Sequence, residues 1–234
     1  MTKCLICFEP FTDERWGTLF LIGEPNNICS QCRESFERIE GTICQTCGRP
    51  LDDLAKEYIH GDQCYDCVRW LEDPKWVHTL TSNRSVYRYN DWLKQVLSQY
   101  KFRGDHKLAT VFKKDFIKAY KSNFSSSFIL VPIPLSQERL YERGFNQAQI
   151  FAEFLGKPQE LLTRVHHEKQ SKKSREHRIH AENVFSLKEG NDLKGTHILL
   201  IDDIYTTGST LRHAAEVLLT ANATSVSSLT LVRS

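Results

Sequence analysis

After Cys67 the pattern of apolar and polar positions changes, and periodic elements begin. Residues 85–89 alternate as a short strand. Asn90 or Asp91 caps the next helix, whose apolar stripe is Trp92, Leu93, Val96, Leu97 and Tyr100. Residues 101–105 break it, and a second amphipathic helix is expected over 106–120. Residues 128–131 form an apolar run ending at Pro132, the pattern of a buried parallel strand. A helix is expected over 136–155, with an interruption at Gly144. Residues 164–180 are basic, polar and aperiodic, and read as a mobile loop. A buried strand is expected at 197–201, a helix over 209–221 and a closing strand over 225–232. Strands alternating with helices imply an α/β domain with a mainly parallel sheet flanked by helices.

The chain has 234 residues, room for one large domain or two small ones. Hydrophobic residues make up 40% and charged residues 26%, which excludes wholesale disorder. No stretch reaches the roughly 18 apolar residues of a membrane span. The polar start, Met1-Thr2-Lys3-Cys4, is unlike a secretory signal, so a cytoplasmic location is expected. Charge is uneven. Residues 1–75 carry 8 basic and 14 acidic side chains, whereas residues 101–180 carry 16 basic and 8 acidic. A basic middle able to meet phosphates follows an acidic first third.

All eight cysteines precede residue 68, as four Cys-x-x-Cys pairs separated by 21, 11 and 16 residues. In a reducing compartment a disulfide framework is disfavoured. Two such pairs complete a tetrahedron around one zinc ion, and four thiolates leave no open position for catalysis. The first and third gaps resemble the spacing of zinc ribbons, about 15–20 residues. Neighbouring pairs are therefore expected to share a structural zinc: Cys4, Cys7, Cys29 and Cys32 on one, Cys44, Cys47, Cys64 and Cys67 on another. A cross-braced arrangement, first pair with third and second with fourth, is the alternative. The division expected is a zinc module over residues 1–75 and an α/β domain over 76–234. So small a module has little core of its own and would draw its folding energy from the metal.

The densest chemistry lies at HILLIDDIYTTGSTL, from His197. Four apolar residues deliver Asp202 and Asp203 to a strand's carboxyl end, and the polar loop Thr206-Thr207-Gly208-Ser209-Thr210 opens a helix. Backbone N–H groups at a helix N-terminus point at a phosphate, and the helix dipole favours its charge. Gly208 permits close approach, the hydroxyls add donors, and the carboxylates suit ribose hydroxyls, directly or through Mg2+. Neither a Walker A loop nor a dinucleotide fingerprint is present.

This string resembles the 5-phosphoribosyl-1-pyrophosphate (PRPP) motif of type I phosphoribosyltransferases. The resemblance implies their fold, with PRPP at the carboxyl ends of the strands. It implies that Asp202 and Asp203 face the ribose, while Thr206, Thr207, Gly208, Ser209 and Thr210 hold the 5-phosphate. It also implies a pyrophosphate loop containing Ile133 and Pro134, and a flexible loop with Lys169, Lys172 and Lys173. Arg143-Gly144-Phe145-Asn146-Gln147-Ala148, together with the preceding cysteine module, is similar to the ComF family of competence proteins. That likeness spans essentially the whole chain and adds Arg143 to the pyrophosphate and flexible-loop residues.

Two functions follow as expectations. The ComF resemblance implies a role in DNA uptake during natural transformation, with single-stranded DNA and a ComFA-like DNA translocase as partners. Association with the membrane uptake machinery would then run through those partners. The alternative is an enzyme transferring phosphoribose from PRPP, bound with Mg2+, to an unidentified acceptor. Purine-salvage enzymes with a similar motif place an acidic residue where this chain has Thr206, which cannot act as a carboxylate base. Ser234 directly follows the last expected strand, so a base pocket would have to come from the zinc module or residues 80–120. Tyr87, Tyr89, Trp92, Tyr100 and Phe102 are candidate stacking platforms, most of them better suited to the core.

Overall fold

A computed structural model of the chain describes residues 2–12, 27–102, 106–125, 127–164, 184–190 and 192–234. Strands β1 (Thr2–Lys3) and β2 (Pro10–Phe11) pair antiparallel on either side of Cys4 and Cys7, and helix α1 (Ser30–Glu34) carries Cys32. A 3-10 turn at Lys56–Tyr58 enters the hairpin of β3 (Ile59–His60) and β4 (Gln63–Cys64), and α2 (Tyr65–Glu72) follows at once. The first Cys-x-x-Cys of each half forms a knuckle of the same kind. The Phe8 amide donates to the Cys4 carbonyl at 3.0 Å, and the Gly48 amide to the Cys44 carbonyl at 2.9 Å.

The α/β part runs β5 (Asn83–Arg88), α3 (Asp91–Phe102), a 3-10 turn at His106–Ala109, α4 (Thr110–Asn123) and β6 (Ile129–Pro132). It continues through α5 (Gln137–Arg143), α6 (Gln147–Glu153), β7 (Leu162–Arg164), β8 (Phe185–Leu187), β9 (His197–Tyr205), α7 (Ser209–Thr220) and β10 (Ser225–Arg233). Four strands form one sheet in the order β5-β10-β9-β6, every pair parallel. The apolar interiors of β9 and β10 are buried, as central strands covered on both faces must be. The Asn90 carboxamide oxygen accepts from the Leu93 amide at 2.7 Å and caps α3.

Alternation along β9 divides the core into two faces. Leu199 and Ile201 join Leu93, Val96, Tyr100, Phe112, Phe116 and Phe151 on the side of α3, α4 and α6. Cys4, Ile6, Ile28, Cys32 and Phe36 belong to that cluster. Ile198 and Leu200 join Leu211, Ala214, Ala215 and Leu218 of α7 on the other side, together with Cys44, Cys47, Leu51, Cys64 and Cys67. The alternation shifts by one residue near the strand's end, so that Ile204 packs on the first face and Tyr205 on the second. Each half of the cysteine-rich region therefore shares a core with one face of the sheet. On the first face, Arg38 forks onto Asp115 at 2.7 and 3.1 Å, and the Tyr87 hydroxyl donates to the same carboxylate at 2.6 Å. Burial alone would raise the Asp115 carboxyl, but these hydrogen bonds outweigh it and hold the group below the usual carboxylate range.

The helical stretch over 136–155 is interrupted at Gly144, as expected: Gly144 ends α5 in a left-handed conformation and Asn146 caps α6 anew. Two local features differ from the sequence expectation. Strand β9 runs on through both aspartates to Tyr205. Arg164, expected at the start of a loop, is the last residue of β7, which pairs antiparallel with β8. Strands of three residues are too short to leave an alternation in the sequence. The rest of that loop, with Lys169, Lys172 and Lys173, lies outside the described residues.

Candidate phosphate-binding and metal sites

Two cysteine tetrads are formed, Cys4/Cys7/Cys29/Cys32 and Cys44/Cys47/Cys64/Cys67, each with its sulfurs within 4.8 Å of one another. Pairing is thus sequential, not cross-braced. Four thiolates about 2.3 Å from a zinc ion lie about 3.8 Å apart along the tetrahedron's edges. Cys7 and Cys29 Sγ are 3.8 Å apart, and Cys47 and Cys64 Sγ 3.6 Å, so the donors fit zinc, and none of the eight is in a disulfide. Both tetrads are structural by their chemistry, since sulfur fills all four positions. Their surroundings differ: all four cysteines of the second are buried, whereas Cys7 of the first is exposed. Hydrogen bonds among the thiols, helped by Arg233, push the Cys47 thiol far down.

Asp202 and Asp203 occupy β9 where its apolar run ends, and the pleat sends them to opposite faces. Asp203 pairs with Lys101, in the last turn of α3. Its amide donates to Asp202 Oδ1 at 2.8 Å. Burial first, and then the Asp203 charge, push the half-buried Asp202 carboxyl up to about 8, with Lys101 opposing. The loop then turns through Thr206 and Thr207 to Gly208, whose φ of 83° puts it in the left-handed region as the cap of α7. A Cβ there would sit 2.1 Å from Tyr205 Oη, so only glycine fits. Thr206 and Thr210 are exposed, and Thr207 and Ser209 half-buried. The structure thus brings the two acids, the hydroxyl loop and the start of a twelve-residue helix together, an arrangement suited to a sugar phosphate.

The second loop is built by the Arg143–Ala148 motif. Arg143 Nη1 donates to Gln147 Oε1 at 2.8 Å. Asn146 accepts from the Ala148 amide at 3.1 Å and donates to the Ile133 carbonyl at 3.0 Å. Phe145 packs on Tyr100 at 5.2 Å. The motif therefore ties α5 and α6 to the chain leaving β6. The Ile133 side chain is buried, and its amide donates to the Ile201 carbonyl at 2.9 Å, so its part is to set the loop's course. Pro134, half-buried, has no amide proton to offer a ligand.

Sequence reasoning missed Arg164 as a site residue. It ends β7 with its guanidinium 5.6 Å from the Phe185 ring, close enough to Arg139 and Asp202 to feel both charges. Burial first, and then Arg139, lower its pKa, while Asp202 opposes. Neither Arg139 nor Arg164 pairs with a carboxylate among the described residues. The one signal in the sequence was a cation standing just before the basic stretch. Of the proposed stacking platforms, Tyr87 and Tyr100 are core residues and cannot take a base, Trp92 packs edge-on against Phe36, and Tyr89 is exposed. The side chain of Phe102 lies outside the described residues.

These features define a phosphoribosyltransferase-type domain fused to a two-zinc cysteine module, and comparison with known proteins agrees. The phosphoribosyl transferase domain family matches residues 141–234, and the double zinc ribbon domain family residues 2–68. Competence protein ComFC of Bacillus subtilis (strain 168) is 45% identical over 235 residues, covering 99% of this chain and 95% of the relative. Competence protein ComFC of Streptococcus pneumoniae (strain ATCC BAA-255 / R6) is 34% identical over 234 residues, covering 99% and 100%. DNA utilization protein YhgH of Escherichia coli (strain K12) is 26% identical over 237 residues, covering 95% and 93%. The chain belongs to the ComFC family of competence proteins. No helix among the described residues is long and apolar enough to cross a membrane.

Proposed function

We propose that this protein assists DNA uptake in natural transformation, binding PRPP with Mg2+ at the end of β9 and single-stranded DNA on the exposed face of α5. Membership of the ComFC family supports the competence role, and relatives named for DNA utilization widen it to DNA handling. One observation carries the ligand reading: Asp202 and Asp203 lie near the carboxyl end of a central parallel strand, which passes through Ile204 and Tyr205 into a hydroxyl loop and a helix N-terminus. The carboxylates take the ribose hydroxyls or reach Mg2+ through oxygen ligation. The loop amides take the 5-phosphate. Arg139 and Arg164 offer cations to the pyrophosphate.

The DNA reading rests on α5, which buries no side chain. Tyr141 is 92% exposed, with Leu140 beside it and Arg139 and Arg143 on the same helix. Glu138 and Glu142 balance the two arginines, so the exposed ring beside the guanidinium groups, suited to base stacking, carries the DNA reading more than net charge does. The division into residues 1–75 and 76–234, a cytoplasmic setting and a ComFA-like translocase as partner belong to the same proposal. Phosphoribosyl transfer is the other use of the site, but Thr206 supplies no carboxylate to orient a base.

Calorimetry with Mg2+ and PRPP should show saturable binding by the wild type and none by the Asp202→Asn/Asp203→Asn variant. Equal binding by both removes the ligand assignment. Base-dependent pyrophosphate release across a panel of nucleobases would put the transferase reading ahead.

A further inference from the structure

The second cysteine tetrad touches the phosphate loop through two buried side chains. Trp70 stands one helical turn after Cys67 in α2, and its indole N–H donates to the Thr207 carbonyl at 3.1 Å. Arg233 at the end of β10 donates through Nη1 to the Thr206 carbonyl at 3.0 Å and through Nη2 to Cys47 Sγ at 3.5 Å. The Arg233 guanidinium also stacks 4.6 Å from the Tyr205 ring. Both residues are nearly inaccessible, at 5% and 4% exposed. Trp70 is itself held by the Arg212 guanidinium 4.7 Å over its ring and by Trp76 edge-on. Among the described residues no hydrogen bond joins the first tetrad to the loop.

The consequence follows from peptide geometry. Across a planar trans peptide the C=O and the following N–H point in opposite directions. Holding the Thr206 and Thr207 carbonyls toward the zinc module turns the Thr207 and Gly208 amides away from it, where the phosphate reading needs donors. The link is a direct bridge: one side chain, Arg233, reaches the loop carbonyl with one nitrogen and Cys47 of the tetrad with the other.

We propose that Trp70 and Arg233 are positioning residues that make the phosphate loop depend on the second tetrad and not on the first. The inference rests on the phosphate reading for its functional meaning, but the coupling can be read without a ligand. The experiment uses the full-length, zinc-loaded chain. Trp70→Phe keeps a ring under Arg212 and deletes one donor, and Arg233→Lys keeps a cation and deletes the fork. Metal content, amide hydrogen exchange over residues 205–210 and affinity for ribose 5-phosphate are measured on each. Trp70→Phe is expected to retain both zincs, to exchange about 5–20-fold faster in the loop and to bind ribose 5-phosphate more weakly by a similar factor. Arg233→Lys should do the same, and it carries the test if Trp70→Phe does not fold. Cys7→Ser, in the first tetrad, should leave loop exchange unchanged. Unaltered loop exchange in both positioning variants, or equal acceleration by Cys7→Ser, overturns the proposal. Faster loop exchange with no ribose 5-phosphate binding by the wild type would instead sustain the coupling and remove the phosphate reading.

Discussion

The two tetrads have the same ligands and the same knuckle, yet they sit in different physical settings. At the first, the residue after the second cysteine is Phe8, with φ of 64° and half its surface exposed. At the second it is Gly48, with φ of 68°, where a Cβ would stand 2.8 Å from the Asn83 carbonyl. One knuckle faces solvent and tolerates a side chain in a strained conformation. The other is pressed onto the first residue of β5, whose Asn83 carboxamide donates to the Cys47 carbonyl at 3.0 Å. A structural metal site can thus keep one knuckle in solvent while its other ligands enter a core, or be enclosed on every side and touch the loop after β9. Burial and neighbours make the difference, since the ligand set is identical.

The largest effect should come from the metal ligands. Cys64→Ser is expected to cost at least about 4 kcal/mol or to abolish folding, because all four cysteines of the second tetrad are buried, whereas Cys7 of the first is exposed. Cys7→Ser should lose one zinc and only about 1–2 kcal/mol, with the sheet's cooperative transition intact. Urea unfolding with metal analysis measures both, and equal losses would erase the contrast. Next come the knuckles. Gly48→Ala should destabilise by about 2–4 kcal/mol, while Phe8→Gly should be neutral or stabilising by up to about 1 kcal/mol.

Two aspartates extend the comparison to pH. Asp115, on the first face, has a lowered pKa, so its stabilisation is present above the unfolded carboxylate value of about 3.9 and is lost as pH falls through its folded value. Asp202 has a raised pKa, near 8, so the folded state holds a proton that the unfolded state releases. Its contribution to stability therefore declines as pH rises from about 4 to about 8 and is flat above. Urea midpoints from pH 3 to 9 should show both limbs. Asp115→Asn should remove the acid limb, and Asp202→Asn should flatten the decline toward pH 8. On the proposed reading, Mg2+ held at Asp202 would displace that proton, so affinity for Mg2+ with PRPP is expected to rise with pH over the same window. The smallest effect on stability belongs to a residue outside both faces. Tyr141→Ala should change folding by less than about 0.5 kcal/mol, yet weaken single-stranded DNA binding about 5–10-fold in a fluorescence titration.

Much of this was legible in the chain. Four Cys-x-x-Cys pairs at those gaps specify two metal sites, because only a tight turn brings two thiolates three residues apart onto one ion. The apolar runs of β6, β9 and β10 specify a buried parallel sheet. The Asp202–Thr210 string specifies an acid pair followed by a hydroxyl loop at a helix N-terminus, because a strand, an acid pair, a hydroxyl turn and a helix follow one another locally. Arg164 stayed hidden because a lone arginine beside a basic stretch has no periodic signal. The hairpin of β7 and β8 stayed hidden because its strands have three residues each.

The sequence by itself determined which residues form the cysteine pairs and the acid and hydroxyl loop, since both are made from neighbours along the chain. The tertiary structure decided which neighbouring pairs share an ion, which aspartate lies on which face, and which tetrad touches the loop. Trp70 lies 137 residues from Thr207, and Arg233 lies 186 from Cys47. No local pattern encodes contacts at such separations. They exist because the sheet buries both faces, and a polar group enclosed there is stabilised by whichever partner the fold brings within reach.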